Sequence, residues 1–281
     1  MRTILVATDF SETSASALKF ANMLRQQLSA QLFVVHVFDM KPTFMSTVSI
    51  AYTRLEEAAF EEHRNKLSKF CTKHLGKEPE TLGLSLIVTE SSIASSGILE
   101  NAEKINADII IVGTKGSTLL KDLFIGSTAT SLIDKSYVPL IMVPESSETT
   151  PLKKIVYATA FEESDILAIR KLVAIAQPFN ASINLVHIST KKEYAGEDQM
   201  AWFKEMLQNK VYYPHIHFEL KFSEDINSSL QSFIEAENPS LLAMLEREDH
   251  GFMNNPLHKD NVKRMKSVVS IPLLSFQKRN L

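Results

Sequence analysis

Glycine and hydroxyl residues around one loop have types and spacing that suit the binding of a phosphate group. Gly113 and Gly116 directly follow the apolar run 109–112, and Gly126 stands immediately before Ser127 at the start of a helical pattern. Glycine lets the main chain approach a ligand closely. The first turn of a helix offers unpaired N–H groups and a partial positive charge, which favour an anion. These residues therefore predict an anion-binding loop.

Two further side chains strengthen this prediction. Lys115 lies inside the loop and supplies a full positive charge, and Thr128 adds a hydroxyl donor beside Ser127. The alternative is that each glycine serves local geometry alone, at a strand end, in a turn or before a helix. For a single glycine that alternative would be preferred. The spacing G-x2-G-x9-G-[ST] behind an apolar strand is much more specific and favours a ligand site.

Apolar periodicity predicts the elements that position this loop. In the first half of the chain, apolar runs predict strands at 4–7, 32–37, 84–88, 109–112 and 140–143. Helical spacing follows Ser11, a good N-cap type, and recurs over 55–75, 93–105 and 126–134. Such alternation predicts a parallel sheet with helices on both faces and right-handed crossovers. Ligands of these sheets bind beyond the carboxyl ends of the strands, where the loop begins and ends.

The chain contains an internal repeat. The run 4–12 recurs as 155–163, and the run 32–37 recurs as 183–188 at the same offset. Two matched blocks in one register are hard to obtain by chance, so they indicate a duplicated unit. Further along the chain the offset shortens. The second copy is therefore shorter in its middle.

The glycine spacing resembles the nucleotide-binding motif of the universal stress protein family. Gly113, Gly116, Gly126 and Ser127 match that motif in order. The run Ala7-Thr8-Asp9-Phe10-Ser11 is similar to the family's first-strand turn, and Val35-His36-Val37 is similar to the end of its second strand. The resemblance covers essentially the whole chain, as a tandem of two such domains.

The resemblance implies an α/β fold of two tandem doubly wound domains. Each would contain a five-stranded parallel sheet in the order 3-2-1-4-5, with helices on both faces. The segment between Pro144 and Pro151 is polar and lacks periodicity, so we expect it to be the linker. The expected domains are residues 1–144, with an intact nucleotide-binding motif, and residues 152–281, with a degenerate one.

The resemblance also implies a ligand and the residues that hold it. The expected ligand is ATP, or ADP or AMP, with Mg²⁺ as a candidate companion ion beside Asp9. In ATP-binding members the aspartate lies by the nucleotide, the backbone at Val37 recognises adenine, and the glycine loop wraps the ribose and phosphates. The expected nucleotide-binding residues are Ala7, Thr8, Asp9, Val37, Val112, Gly113, Lys115, Gly116, Gly126, Ser127 and Thr128. An alternative for Asp9 is that it only caps the following helix. The side chain of His36 is expected to be packed or solvent-facing and not catalytic.

The second copy departs from the motif at positions that matter for a nucleotide. Ala160 replaces Asp9 and can neither coordinate a cation nor accept a hydrogen bond through its side chain. Leu245 and Glu248 stand approximately where the first two loop glycines stand, so side chains would fill the phosphate space and add negative charge. His258-Lys259 replaces the Gly-Ser pair. We therefore expect one competent site, in the first domain, and a second domain kept for structure, pairing or a different ligand.

Composition and charge argue against several classes of protein. A formal net charge of −3 and a pI near 6.3 leave no global positive field for sequence-independent nucleic-acid binding. No apolar run approaches the roughly 18 residues of a membrane span, and the N-terminus lacks a signal-peptide core. We expect a cytoplasmic protein. The side chain of Cys71 is expected to be buried and to act as a small hydrophobic group. The spacings of the histidines fit no standard zinc site, so no metal site is assigned.

Three functions are compatible with the sequence. The leading hypothesis is an ATP-binding stress-response protein that changes state or partner with its nucleotide, without catalytic residues and with at most slow ATP hydrolysis. The second is an enzyme of a related ATP-using α/β class, which would need a glycine-rich loop at the first-strand turn, and the turn Thr8–Ser11 has no glycine. The third is an interaction or structural module with a vestigial nucleotide site.

The last strands of the two copies are expected to bring them together. An unpaired strand edge is a liability, so the runs 139–143 and 272–276 are predicted to pair within the chain. A homodimer of chains and an unidentified protein partner are further alternatives. The segment 41–50, which contains Phe44 and Met45, is predicted to be either a lid over the crevice or a contact with the other copy.

Overall fold

The computed structural model describes residues 1–40, 50–114, 126–191, 196–246, 270–278 and 281. The elements of the first half are β1 (Thr3–Ala7), α1 (Glu12–Leu28), β2 (Gln31–Phe38), α2 (Ile50–Leu75), α3 (Pro79–Leu82), β3 (Ser85–Glu90), α4 (Ala94–Lys104), β4 (Ile109–Thr114), α5 (Ser127–Lys135) and β5 (Leu140–Pro144). Those of the second half are β6 (Lys154–Ala158), α6 (Glu163–Ala176), β7 (Ser182–Ser189), α7 (Gly196–Lys210), β8 (Ile216–Phe222), α8 (Ile226–Glu237), β9 (Leu241–Glu246) and β10 (Leu273–Gln277), with a 3-10 turn at Gln177–Phe179.

The strands of the described chain form one ten-stranded sheet in the order β3-β2-β1-β4-β5-β10-β9-β6-β7-β8. Counted from its own first strand, each half has the order 3-2-1-4-5. Among the described strands, every pairing within a half is parallel. The fold of two tandem doubly wound units expected from the sequence is confirmed.

The two halves meet where β5 pairs with β10. This pairing is antiparallel, with Leu273 opposite Met142 and Ser275 opposite Leu140. The edge-to-edge pairing predicted for the two last strands is therefore present. Because β5 and β10 run in opposite directions, the carboxyl ends of the two sets of parallel strands lie at opposite ends of the sheet. Any crevice of the second half opens away from that of the first.

Two apolar layers cover the sheet. In β4, the side chains of Ile109 and Ile111 enter one layer with those of α1, α2, α6 and α7. The side chains of Ile110 and Val112 enter the other layer, which includes α4, α5 and α8. Residues 109–112 are all buried. A strand covered on both faces needs apolar side chains at successive positions, which explains the continuous apolar runs.

Smaller features of the fold agree with the sequence or extend it. The Cys71 side chain is fully buried, as expected, and burial raises the pKa of its thiol to about 12. The short helix α3 was not predicted; Pro79 occupies its first turn, where a missing N–H costs little. None of the helices in the described ranges combines the length and apolar character of a membrane span. The segment with Phe44 and Met45 lies outside the described residues.

Candidate functional site

The turn after β1 is held by backbone and side-chain hydrogen bonds. The amide of Thr8 donates to the carbonyl oxygen of Val35 at 2.9 Å, which ties the turn to β2. The Thr8 hydroxyl accepts from the amide of Phe10 at 3.0 Å. Phe10 has a φ of 66°, in the left-handed region that costs energy for a bulky residue. Its ring packs against His36 at 4.2 Å and against Phe70 at 5.5 Å between ring centroids, which offsets that cost.

The Asp9 carboxylate stands at the exposed rim of this turn. It accepts hydrogen bonds from the amide of Ser11 at 3.0 Å and from the Ser11 hydroxyl at 2.5 Å. Burial acts to raise the pKa of Asp9, but the bonds from Ser11 and Ser14 outweigh it and hold that pKa below its usual range. Ser11, and not Asp9, is the N-cap residue of α1. Asp9 therefore stabilises the turn in its ionised form while lying beside the crevice.

Gly113 lies where β4 passes the first turn of α1. A Cβ atom at this position would lie 2.7 Å from the carbonyl carbon and oxygen of Thr13 and 2.9 Å from the amide nitrogen of Ser14. Those atoms are backbone, so they cannot move aside as a flexible side chain would. Gly113 is thus required by the close approach of β4 and α1, a packing role that was not foreseen from its place in the motif.

Gly126 marks the start of α5. It is the N-cap residue, without a side-chain cap, and the amide of Thr130 donates to its carbonyl oxygen at 3.1 Å. The amides of residues 127–129 precede that first helical bond, so they belong to the donors that a helix leaves to other partners. A Cβ on Gly126 would meet no atom of the described residues within 4 Å. The helix start therefore offers N–H groups beside an uncrowded position.

These elements surround one cavity of about 230 Å³. Its lining includes the predicted residues Ala7, Thr8, Asp9, Val37, Val112, Gly113, Gly126, Ser127 and Thr128. Lys115 and Gly116 lie outside the described residues. The carboxyl ends of β1, β2 and β4 and the start of α5 are thus brought together at one edge of the sheet.

The lining also contains residues that were not predicted as part of the site. They are Ser11, Thr13, Ser14, Val35, Ala94, Ile98 and Ala129. Two of them come from α4, and Gly97 in that helix was a usable signal, since a glycine inside a helical pattern often marks close packing. A Cβ on Gly97 would lie 2.9 Å from Cγ1 of Val37. Gly97 therefore lets α4 close over the end of β2.

The cavity has two chemically different walls. The alanine, valine and isoleucine residues that β1, β2, β4 and α4 contribute form its apolar wall, and the serine and threonine residues of α1 and α5 together with Asp9 form its polar wall. This arrangement suits a ligand with a flat apolar part and a polar or anionic part. Among the described residues no group of three histidine, cysteine, aspartate or glutamate side chains is placed to hold a metal ion.

His36 is a packed residue of β2, as expected. It is buried, and its Nδ1 atom lies 2.9 Å from the carbonyl oxygen of Thr8. Because a carbonyl can only accept, Nδ1 is the donor. The Nε2 atom lies 3.0 Å from Nδ1 of His63, whose ring stacks on Phe38. His36 therefore supports the turn from the face opposite the cavity.

The second half repeats the turn with different polar groups. The amide of Thr159 donates to the carbonyl oxygen of Val186 at 2.9 Å, and the Thr159 hydroxyl accepts from the amide of Phe161 at 2.9 Å. Phe161 has a φ of 58° and packs on His187. The backbone of the first turn is thus reproduced, while Ala160 stands in the place of Asp9.

One expectation about the second half is wrong. Strand register confirms that Leu245 stands where Gly113 does, because β4 pairs with β1 as β9 pairs with β6. However, the Leu245 side chain is buried in the apolar layer of α6 and α7, and the same direction from Gly113 leads into the backbone of the first turn of α1. Because side chains alternate along a strand, the Leu245 side chain points away from the layer that matches the apolar wall of the cavity. Leu245 therefore does not fill a phosphate space. Glu248 and the pair His258-Lys259 lie outside the described residues.

Comparison with known proteins agrees with this geometry. The model of the universal stress protein family matches residues 1–144. Universal stress protein MJ0531 of Methanocaldococcus jannaschii is 30% identical over 142 residues, which is 50% of this chain and 80% of that protein. Universal stress protein MJ0577 of the same organism is 31% identical over 150 residues, 50% of this chain and 93% of that protein.

A solved structure extends the likeness to the whole chain. A universal stress protein from Archaeoglobus fulgidus superposes with a TM-score of 0.73, covering 98% of both chains at 14% identity. At that identity the likeness shows the fold alone, and the match over residues 1–144 shows the family. The chain belongs to the universal stress protein family.

Proposed function

We propose that this protein binds an adenine nucleotide, ATP or the related ADP or AMP, in the crevice of residues 1–144. It acts in the cytoplasm as a stress-response regulator or interaction module whose state depends on that nucleotide. One observation carries the proposal: the Thr8–Asp9 turn, the end of β2 and the start of α5 converge on a single cavity. The start of α5 carries Gly126 and Ser127 of the motif that resembles the family's nucleotide-binding motif, and the other two segments resemble the family's first-strand turn and the end of its second strand.

Each wall of the cavity suits one part of a nucleotide. The backbone at Val37, beside the apolar residues of β2 and α4, is the proposed adenine contact. The amides at the start of α5 and the hydroxyls of Ser127 and Thr128 are the proposed phosphate contacts, since a helix start favours an anion by about 0.3 to 1 kcal/mol. Lys115 and Gly116 are proposed to complete the phosphate loop from their motif positions alone.

Fast ATP hydrolysis is not part of the proposal. Hydrolysis needs a positioned water or base and usually a metal ion. In the described lining of the cavity, Asp9 is the single carboxylate. Mg²⁺, where it accompanies the nucleotide, would take this carboxylate as its protein neighbour. We therefore propose slow turnover at most.

The second half is proposed to serve another purpose than nucleotide binding. We propose domains at residues 1–144 and 152–281, with the second kept for the β5–β10 pairing or for a different ligand. A partner protein or a dimer of chains would then respond to the nucleotide state of the first domain.

A binding measurement on the full chain tests the proposal. Equilibrium dialysis with ATP, ADP and AMP should show binding by the unmodified protein, and Gly126→Val should weaken it at least about tenfold, which is about 1.4 kcal/mol. A Cβ at this position meets no atom of the described residues within 4 Å, so we expect the variant to fold as the unmodified protein does. Asp225→Ala is the matched control, because Asp225 also caps a helix start but lies outside the cavity.

Two outcomes would contradict the proposal. An absence of binding at millimolar nucleotide would favour an interaction module with a vestigial site. Rapid phosphate release from ATP that is abolished by Asp9→Ala would favour an enzyme.

A further inference from the structure

Asp165, on α6, is a fully buried carboxylate that the proposed nucleotide site does not use. One oxygen accepts from the Tyr157 hydroxyl at 2.7 Å. The other accepts from the Thr159 hydroxyl at 2.9 Å and from the amides of Ala160 and Glu162, both at 3.1 Å. A single interior carboxylate thus gathers the donors of the turn after β6.

In the first half, two different residues make the hydrogen bonds that Asp165 makes alone in the second. By the internal repeat, Thr159, Glu162 and Asp165 correspond to Thr8, Ser11 and Ser14. In the first half, the amide of Ser11 donates to the Asp9 carboxylate, and the Thr8 hydroxyl bonds to the Ser14 hydroxyl at 2.8 Å. Asp9 is exposed at the rim of the cavity, whereas Asp165 is buried.

We propose that Asp165 holds the turn of the second half as Asp9 holds the turn of the first. The carboxylate that holds the second turn therefore lies in the interior and not at the crevice. The turn keeps its acceptor and hence its backbone. The carboxylate that the first half can offer to a ligand or a companion cation is no longer accessible. Asp165 is thus the positioning residue that lets the second half lose Asp9 without losing its fold.

An ordinary helix cap does not account for these bonds. Asp165 and Glu162 do form a reciprocal capping box at the start of α6. That box explains the bond from the Glu162 amide. The bonds from Thr159, Ala160 and Tyr157 come from β6 and the turn, outside the helix, so Asp165 holds the turn as well as the helix end.

The test exchanges the two carboxylates and measures thermal stability, so it does not depend on nucleotide binding. Since Tyr157 would lose an acceptor, Tyr157→Phe is the background. In the full chain, adding Asp165→Ser should lower the Tm by about 4–8 °C, because the part-buried amides of Ala160 and Glu162 lose their acceptor. Adding Ala160→Asp to that variant should restore at least half of the loss, because it recreates the first-half arrangement.

The reverse exchange in the first half provides a second measurement. Asp9→Ala should lower the Tm, and Ser14→Asp should restore it in the double variant. Asp225→Ser is the control, since Ala160→Asp should not restore a helix cap elsewhere in the chain. If the variant with Tyr157→Phe and Asp165→Ser fails to fold, folding of the variant that also carries Ala160→Asp would support the proposal as well. Stability that is unaffected by Asp165→Ser, or the absence of restoration in both exchanges, would overturn it.

Discussion

The turns after β1 and β6 have nearly the same backbone but different chemistry. Phe10 and Phe161 adopt left-handed φ values of 66° and 58°, and each donates its amide to a threonine hydroxyl two residues earlier. In the first half the neighbouring carboxylate is exposed beside a cavity, and in the second it is interior. The acceptor that the turn requires can therefore come from different positions in the chain, so the turn keeps its backbone whether or not a carboxylate stands beside the crevice.

The fourth strands of the two halves differ in a second way. At Gly113, β4 approaches the backbone of α1 so closely that no Cβ fits. At the matching position of β9, Leu245 places a buried side chain in the apolar layer with α6 and α7. The first half therefore brings its helix start close to the strand end, which places Thr13 and Ser14 in the cavity lining.

Substitution at Gly113 should have the largest effect on this comparison. Gly113→Ala should destabilise the protein by about 1–3 kcal/mol, because the new methyl group overlaps fixed backbone atoms. Denaturant unfolding of the full chain measures the change, with Gly126→Ala as the control, since its methyl group would meet no atom of the described residues within 4 Å. Equal stability of the two variants would show that β4 and α1 can move apart as β9 and α6 do.

The acid sensitivity of Asp9 should be the next largest effect. Its folded-state pKa lies below the unfolded value, so its contribution to stability is present above about pH 4 and is lost as the pH falls through the folded pKa. Asp9→Ala should therefore be less stable than the unmodified protein at pH 7, and the difference should shrink below pH 4. Urea unfolding from pH 7 to 3 measures it. A difference that stays constant with pH would mean that the carboxylate does not hold the turn in its ionised form.

Mild acid should have the smallest effect, through the His36–His63 pair. Burial is the main cause that lowers the pKa of both imidazoles, and the charge of Lys66 lowers both pKa values further. The charge of Asp9 opposes the shift at His36, and that of Glu62 opposes it at His63. A folded pKa below the unfolded value of about 6.5 means that stability is full above that pH and declines below it. The Tm should therefore decrease as the pH is lowered from 7.5 to 5.5.

The variant His63→Phe isolates this effect in the first half. Phenylalanine keeps a ring for stacking on Phe38 but does not titrate, so the fall in Tm with pH should be smaller than in the unmodified protein. Thermal scans at matched ionic strength check it. An unchanged pH dependence would assign the acid sensitivity to groups other than this pair.

Much of the fold was predictable because it depends on local periodicity. Every predicted first-half strand is present, and each half has the expected order. The strands are buried on both faces, so their apolar runs stand out, and the pairing of the last strands followed from the cost of an unpaired edge. Predicted site residues such as Thr8, Val37 and Ser127 gather at one cavity because parallel strands bring their carboxyl ends together.

Other features depended on contacts between residues far apart in the chain. The packing role of Gly113 needs the position of α1, and the contribution of α4 to the cavity needs the crossing of that helix over β2. The direction of Leu245 was misjudged because a strand alternates between two layers, and a motif position does not show which layer receives a side chain.

The sequence by itself determined the α/β architecture, the duplication and the segments that form the crevice, because these follow from apolar spacing and from glycine and helix-start signals along the chain. Only the tertiary structure decided which group holds each turn. A hydrogen bond is set by the distance between atoms in space, so Asp165 could replace Asp9 from a different position in the sequence. The residue types alone did not reveal that replacement.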